Sequence, residues 1–265
     1  MPFLFDNPIF EYRETIWEDT KKLAEQYIYD KNIIPHESIK YNYDNCNNNV
    51  IRQFLNTEIC VIDTDCLELA FLENDNVVVL NLGNEYSPGG NPRYSGAQEE
   101  GIFRRSNYFL TLNKSNKLLY PIKDLEAIYS PDIYIFKKSE KYNYELLEDP
   151  KTLPFIVCCG IRNMTNTVEH IEILQKKIEL IFNISYEKGH NVLILGALGC
   201  GAFNSPPELV ANVFRDVIKK YNGVFKKIIF AILATKPENH TDDNGRGVNN
   251  YNIFKNILEK LESLK

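Results

Sequence analysis

Residues 192–221 read VLILGALGCGAFNSPPELVANVFRDVIKKY. Val192 to Leu195 are four apolar residues in a row, the pattern of a strand covered on both faces. Gly196 to Asn204 form a Gly-rich turn. Ser205 is then a suitable helix N-cap, Pro206 suits the first helical position, and Glu208 stands where a capping box wants a carboxylate. The helix they open runs to about Tyr221, and Ile228 to Leu233 are the next strand. Strand, glycine loop, helix and strand make a βαβ unit, and such units build a parallel sheet with helices on its faces. In open sheets of this kind ligands bind where a strand's carboxyl end meets a helix N-terminus. Glycines there let the backbone approach a ligand, and the helix end favours an anion. The spacing is G-x-x-G-x-G. It differs from the dinucleotide fingerprint G-x-G-x-x-G, and no G-K-[ST] follows, so a P-loop is excluded. Such a glycine cluster, taken alone, also serves as a packed turn with no ligand.

The same logic extends upstream. Val77 to Leu82 (VVVLNL) read as a second buried strand. It runs into GNEYSPGGNPRYSGAQEE (83–100), a loop dense in Gly, Pro, Asn and Ser, and then into a helix near Ala97 to Asn107. IYSPDIYIF (128–136) reads as a strand after a turn, and Phe155 to Cys159 as another. Residues 168–188 carry Ile171, Leu174, Ile178 and Ile181 at helical spacing, with Gly189 as the stop. Residues 12–29 have a helical apolar face of Ile16, Leu23 and Tyr27, and a last helix is expected over about 251–264. The Asn-rich stretch 41–49 reads as a loop.

Composition narrows the function classes. The chain has 265 residues, 44% of them hydrophobic, enough for one large α/β domain or one domain with an extension. A net charge of −6 argues against a footprint on duplex nucleic acid. The six cysteines form no C-x-x-C pair and the four histidines lie far from them, so a metal site is poorly supported. The opening MPFLFDNPIFEYRETIW has no basic region followed by an apolar run, and no run of eighteen apolar residues occurs. These features predict a soluble cytoplasmic (or nuclear) protein with reduced thiols, away from membranes.

Two further clusters carry chemistry. Gln98-Glu99-Glu100 follows the second loop. Neighbouring carboxylates on a helix project about 100° apart, so one can face a pocket while the other flanks it. Close carboxylates also raise each other's pKa. Alone, an acidic pair is usually just a solvated helix face. Gly89, Gly90 and Asn91, after Pro88, form a turn that permits close passage of a ligand. Cys200 lacks a sequence-near histidine and reads as a small packing residue, not a nucleophile. Arg104 and Arg105 read as solvated cations or as partners of the glutamates.

In order, a buried strand, an Asn-containing loop, PGG, GAQEE, RS and a late LGALGCGAF before a helix resemble the microbial-type poly(ADP-ribose) glycohydrolases of the macrodomain superfamily. RETIWEDTKKLA (13–24) looks like that family's opening helix, and VIDTDCLELA, IYSPDIYIF and LPFIVCC fall where its intermediate segments would. The resemblance implies a three-layer α/β/α macrodomain with a mixed sheet, with residues 1–55 as an N-terminal helical extension and 56–265 as the catalytic domain. It implies that Glu100 is the catalytic carboxylate and that Glu99 holds the distal ribose, with Gln98 in the same signature and Asn84 touching that ribose. Gly199, Cys200 and Gly201 would cradle the diphosphate, with Gly196 and Ala202 in the same loop, and Phe203 would pack on the ribose. Where the family has three glycines, this chain has Gly89, Gly90 and then Asn91-Pro92, a departure at the scissile end.

The expected partners are ADP-ribose or its polymer and ADP-ribosylated proteins, with no cofactor. Cleavage at an anomeric carbon passes through an oxocarbenium-like state, and one carboxyl group can protonate the leaving oxygen and then deprotonate water. The rival readings are a hydrolase of arginine- or carboxylate-linked mono-ADP-ribose, a binding module that does not cleave, and a nicotinamide-dependent oxidoreductase, whose fingerprint is missing.

Overall fold

A computed structural model describes residues 8–114, 119–234 and 249–259. Seven strands form one sheet: β1 (Ile39–Asn42), β2 (Glu58–Ile62), β3 (Val77–Leu82), β4 (Glu126–Lys137), β5 (Leu146–Cys158), β6 (Val192–Leu195) and β7 (Lys227–Ala231). Their order is β1-β4-β5-β3-β6-β7-β2. The block from β5 through β3, β6 and β7 to β2 is parallel, and β4 and β1 are added antiparallel at the other edge. β3 is hydrogen-bonded on both sides, Val79 opposite Phe155 and Val77 opposite Val192. That central place explains its unbroken apolar run.

The helices are α1 (Pro8–Lys31), α2 (Cys66–Ala70), α3 (Gln98–Phe103), α4 (Tyr108–Lys114), α5 (Val168–Glu187), α6 (Pro207–Lys220) and α7 (Asn250–Leu258). The strand period of two sends alternate side chains to opposite faces. Val78, Leu80, Leu193 and Leu195 join one core with Leu174 and Ile178 of α5, Phe214 of α6 and Phe254 of α7. Val77, Val79, Val192 and Ile194 join a second core with Ala24 of α1, Leu67 of α2, Phe103 of α3 and Tyr108 of α4. Two cores on one sheet make three layers, α/β/α. Among the described residues no helix is long and apolar enough to cross a membrane.

Several boundaries depart from the sequence expectations. The span 1–55 is not wholly helical: Ile39–Asn42 pair with Tyr129–Glu126 as the sheet's edge strand, so the sheet begins before residue 56 and takes two residues of the Asn-rich stretch. The helix expected over 97–107 breaks after Phe103. There the Arg105 carbonyl accepts from the amides of Phe136 and Lys137, and Ser106 Oγ donates to the Ile102 carbonyl, so β4 draws the chain out of helical geometry. IYSPDIYIF lies within the longer β4, whose register shifts between Ser130 and Ile133, around Pro131. Proline cannot donate to the ladder, and such sites collect at bulges. The helix expected to 264 is described only as far as Leu258, and residues beyond 259 lie outside the described ones.

The capping box at Ser205 does not form. Pro206 is extended (φ −64°, ψ 120°) and is itself the N-cap, so α6 starts at Pro207. A residue preceding proline is pushed out of the helical region, and here that residue is Pro206. Ser205 Oγ instead donates to the Ile161 carbonyl, tying the glycine loop to the segment after β5.

Candidate active site

The carboxyl ends of β2, β3, β5, β6 and β7 open into one cleft of about 740 Å³, within the roughly 300–1,000 Å³ of ligand pockets. Gly83 and Asn84 after β3, Gln98, Glu99 and Glu100 of α3, and Gly199, Gly201, Ala202 and Phe203 after β6 all line it. The glutamate pair and the glycine loop, 96 or more residues apart in sequence, are thus walls of one site.

The start of α3 is set by Gln98. Its Oε1 accepts from the Leu82 amide at 2.8 Å and its Nε2 donates to the Leu80 carbonyl at 3.0 Å. Both ends of this amide are taken by β3, so Gln98 positions the helix although it lines the cleft. Glu99 and Glu100 are both buried, which excludes the solvated-face alternative. Glu99 Oε2 accepts from the Asn84 amide (2.7 Å), and Oε1 accepts from the Gly89 amide (3.1 Å) and from Asn81 Nδ2 (3.4 Å). Glu100 Oε1 accepts from the Asn91 amide at 3.1 Å. Burial pushes the Glu99 carboxyl up to about 8; the Asn84 N–H bond opposes that rise and the neighbouring Glu100 charge adds to it.

The Pro88-Gly89-Gly90 turn therefore serves the carboxylates. Gly89, Gly90 and Asn91 do not line the cleft; the amides of Gly89 and Asn91 hold the two glutamates. Gly90 sits at φ +55°, and a Cβ there would run into Glu100 Oε1. Only glycine fits at this point.

The glycine loop forms the facing wall. The Cys200 amide donates to the Ala197 carbonyl and is used within the turn. The amides of Gly199, Gly201, Ala202 and Phe203 donate to no partner among the described residues. Four unused N–H groups on a cleft wall make a cradle for an anion. Gly196 is packed on Leu82, and the buried Cys200 thiol has its pKa raised by desolvation, so Cys200 is a core residue and not a nucleophile. The Arg162 guanidinium stacks over the Phe203 ring at 4.2 Å, adding positive charge beside the amides.

Arg104 and Arg105 are buried, not solvated, and neither pairs with Glu99 or Glu100. Arg104 Nη1 donates to the carbonyls of Pro92 (2.8 Å) and Ser95 (2.7 Å), and its Nε donates to Tyr144 Oη. Arg105 pairs with Asp65, which also caps α2 through the amides of Leu67 and Glu68. From the other side Arg13 of α1 donates to the Tyr94 carbonyl and pairs with Glu140. The loop 92–96 is clamped between two guanidiniums.

Sequence reasoning missed part of the cleft. Asp63, Thr64 and Asp65 follow β2, Ile232 and Leu233 follow β7, and Gly160 follows β5. The rule that placed the glycine loop, a strand's carboxyl end, points to all of them. At Gly160 a Cβ would collide with the Gly199 backbone, so two strand-end loops meet through glycines. Ser139 to Lys141, Tyr144 and Asn250 also line the cleft, and no local pattern marks them. Among the described residues no group of three or more His, Cys, Asp or Glu is placed to hold a metal ion.

The three-layer α/β/α arrangement, with its cleft at the strand ends, is a macrodomain-like fold. Residues 18–138, which include α3 and both glutamates, match the family described as microbial-type PARG, catalytic domain, where PARG is poly(ADP-ribose) glycohydrolase. Over nearly its whole length the fold is that of bacterial poly(ADP-ribose) glycohydrolases. The structure of the Thermomonospora curvata enzyme is 20% identical, with a TM-score of 0.72, covering 92% of this chain and 98% of that one. The same enzyme bound to the inhibitor ADP-HPD gives 21% identity, a TM-score of 0.69 and coverage of 91% and 97%. The Deinococcus radiodurans enzyme in complex with ADP-ribose gives 21%, 0.65, 94% and 93%. No curated protein sequence matches this chain.

Proposed function

We propose that this chain is a glycohydrolase that removes ADP-ribose from poly(ADP-ribose), with Glu100 as its acid and base. The observation that carries this reading is the shared cleft: buried Glu99 and Glu100 face four unused amides of the Gly199–Phe203 loop. The amides take the diphosphate, and Phe203 covers the distal ribose. Glu99, fixed by Asn84 and Gly89, holds the ribose hydroxyls. Holding both ends places the anomeric carbon against Glu100, and such positioning supplies several kcal/mol of a rate enhancement. The Glu100 carboxyl gives its proton to the leaving oxygen as the glycosidic C–O bond breaks. The resulting carboxylate takes a proton from the water that adds to the anomeric carbon, which restores the acid. The protein partners are ADP-ribosylated chains. The six cysteines, five of them buried and none in a disulfide, suit a reducing, cytoplasmic setting.

The test is incubation with purified poly(ADP-ribose) and separately with defined mono-ADP-ribosylated peptides, followed by identification of the products. Release of ADP-ribose from polymer is expected. Release only from the peptides would move the activity to mono-ADP-ribosyl hydrolysis, and tight binding without release would leave a binding module.

A further inference from the structure

Gly101 follows Glu100 directly and is the fourth residue of α3. Its amide makes a regular helical bond to the Ala97 carbonyl. Inside a helix glycine is the least favourable residue after proline. The usual reasons for tolerating it do not apply: its φ is outside the left-handed region, and a Cβ built there meets nothing within 4 Å. Gly90, Gly160 and Gly199 differ, since a Cβ on each would run into Glu100, the Gly199 backbone or Ser205. Gly101 nevertheless lines the cleft, beside the carboxylate that meets the scissile bond.

The loop that lines the same cleft through Ser95 and Gly96 cannot retreat. Arg104 holds the carbonyls of Pro92 and Ser95, Arg13 holds that of Tyr94, and a Cβ on Gly96 would press on the Arg13 guanidinium. A fixed wall and an open helix surface, both next to Glu100, leave room for something that is not protein.

We propose that the open face of Gly101 is the seat of the leaving unit of the polymer, the sugar whose oxygen departs when Glu100 protonates it. This rests on the glycohydrolase reading and deepens it: Gly101 sets which leaving group fits. A side chain there would begin in the seat, because a Cβ on Gly101 meets no other part of the protein within 4 Å.

The experiment compares Gly101→Ala and Gly101→Leu with wild type. Gly101→Leu is expected to lower kcat/KM for poly(ADP-ribose) by about tenfold or more and Gly101→Ala by about threefold or less, with the loss largely in KM. ADP-ribose affinity stays within about twofold, and the thermal midpoint holds or rises because both residues are better helix formers. In a Glu100→Gln background, a short ADP-ribose oligomer binds more tightly than ADP-ribose itself, and Gly101→Leu removes the difference. Wild-type polymer turnover by Gly101→Leu, or equal binding of the two probes to Glu100→Gln, overturns the inference. Failure of the wild-type protein to bind ADP-ribose at all instead overturns the proposed function.

Discussion

The Asn91 amide donates to Glu100 Oε1 across 3.1 Å, so the carboxylate proposed as the catalyst is held by the residue that follows the Gly89-Gly90 pair. The contact is made through the backbone, which any residue but proline supplies. It leaves Glu100 Oε2 without a hydrogen bond from the described residues, on a side chain that lines the cleft. Glu100→Gln keeps this contact through its amide oxygen but cannot cycle a proton. Turnover is expected to fall by about 10²–10⁴ while ADP-ribose affinity changes less than about tenfold. Single-turnover cleavage measured beside equilibrium binding checks both, and cleavage at the wild-type rate removes Glu100 as the catalyst.

Glu99 makes stability depend on pH. Its folded pKa of about 8 lies above the ordinary glutamate value of 4.5. Between those values the folded state keeps a proton that the unfolded chain has lost, so stability falls as pH rises through that window. Below about 4.5 both states are protonated and the contribution is fully present. Glu99→Gln, which does not titrate, should flatten the curve between pH 5 and 8 and weaken ADP-ribose binding. Urea unfolding at several pH values tests this; equal slopes for the two proteins would show that Glu99 ionises normally.

Gly90→Ala places a methyl group against Glu100 Oε1 at a residue with φ +55°. Holding alanine in the left-handed region costs about 1–2 kcal/mol, and the displaced carboxylate loses its place in the cleft. Polymer turnover should drop at least about 10²-fold, with a thermal midpoint only a few degrees lower. An active Gly90→Ala variant would mean that the carboxylate's position is not set by this turn.

Arg104→Lys keeps the charge but loses the fork that reaches the Pro92 and Ser95 carbonyls and Tyr144 Oη together. Leaving buried acceptors unpaired costs about 1–3 kcal/mol. The expected signature is destabilisation of that size, a faster-exchanging amide at Tyr94 or Ser95, and weaker polymer turnover with ADP-ribose binding preserved. Unchanged hydrogen exchange in residues 92–96 would show that the clamp lies elsewhere.

How the site assembles explains which parts local patterns reveal. The strands β3 and β6 and the helix α5 lie close to where hydrophobic periodicity puts them, because each is a single buried run or face. The break after Phe103 is invisible from within, since its cause is β4, whose Phe136 and Lys137 amides take the Arg105 carbonyl from 31 and 32 residues away. The N-cap of α6 was legible in principle: Pro206-Pro207 forbids a helical Pro206, and that proline rule outranks the serine's capping preference. Arg104 and Arg105 look solvated by residue type, and only the surrounding carbonyls and Asp65 make their burial affordable.

Sequence alone determined the α/β class, the central strands, the glycine loop at a strand end and the carboxylate pair, because these depend on local periodicity and on residue types with few structural uses. Tertiary structure alone decided that the loop and the pair share one cleft, which amides stay free to bind, which backbone groups hold Glu99 and Glu100, and how far burial raises Glu99. Those properties depend on distances between strands that neighbour each other in the sheet but not in the chain, and on desolvation, which exists only once the layers have packed.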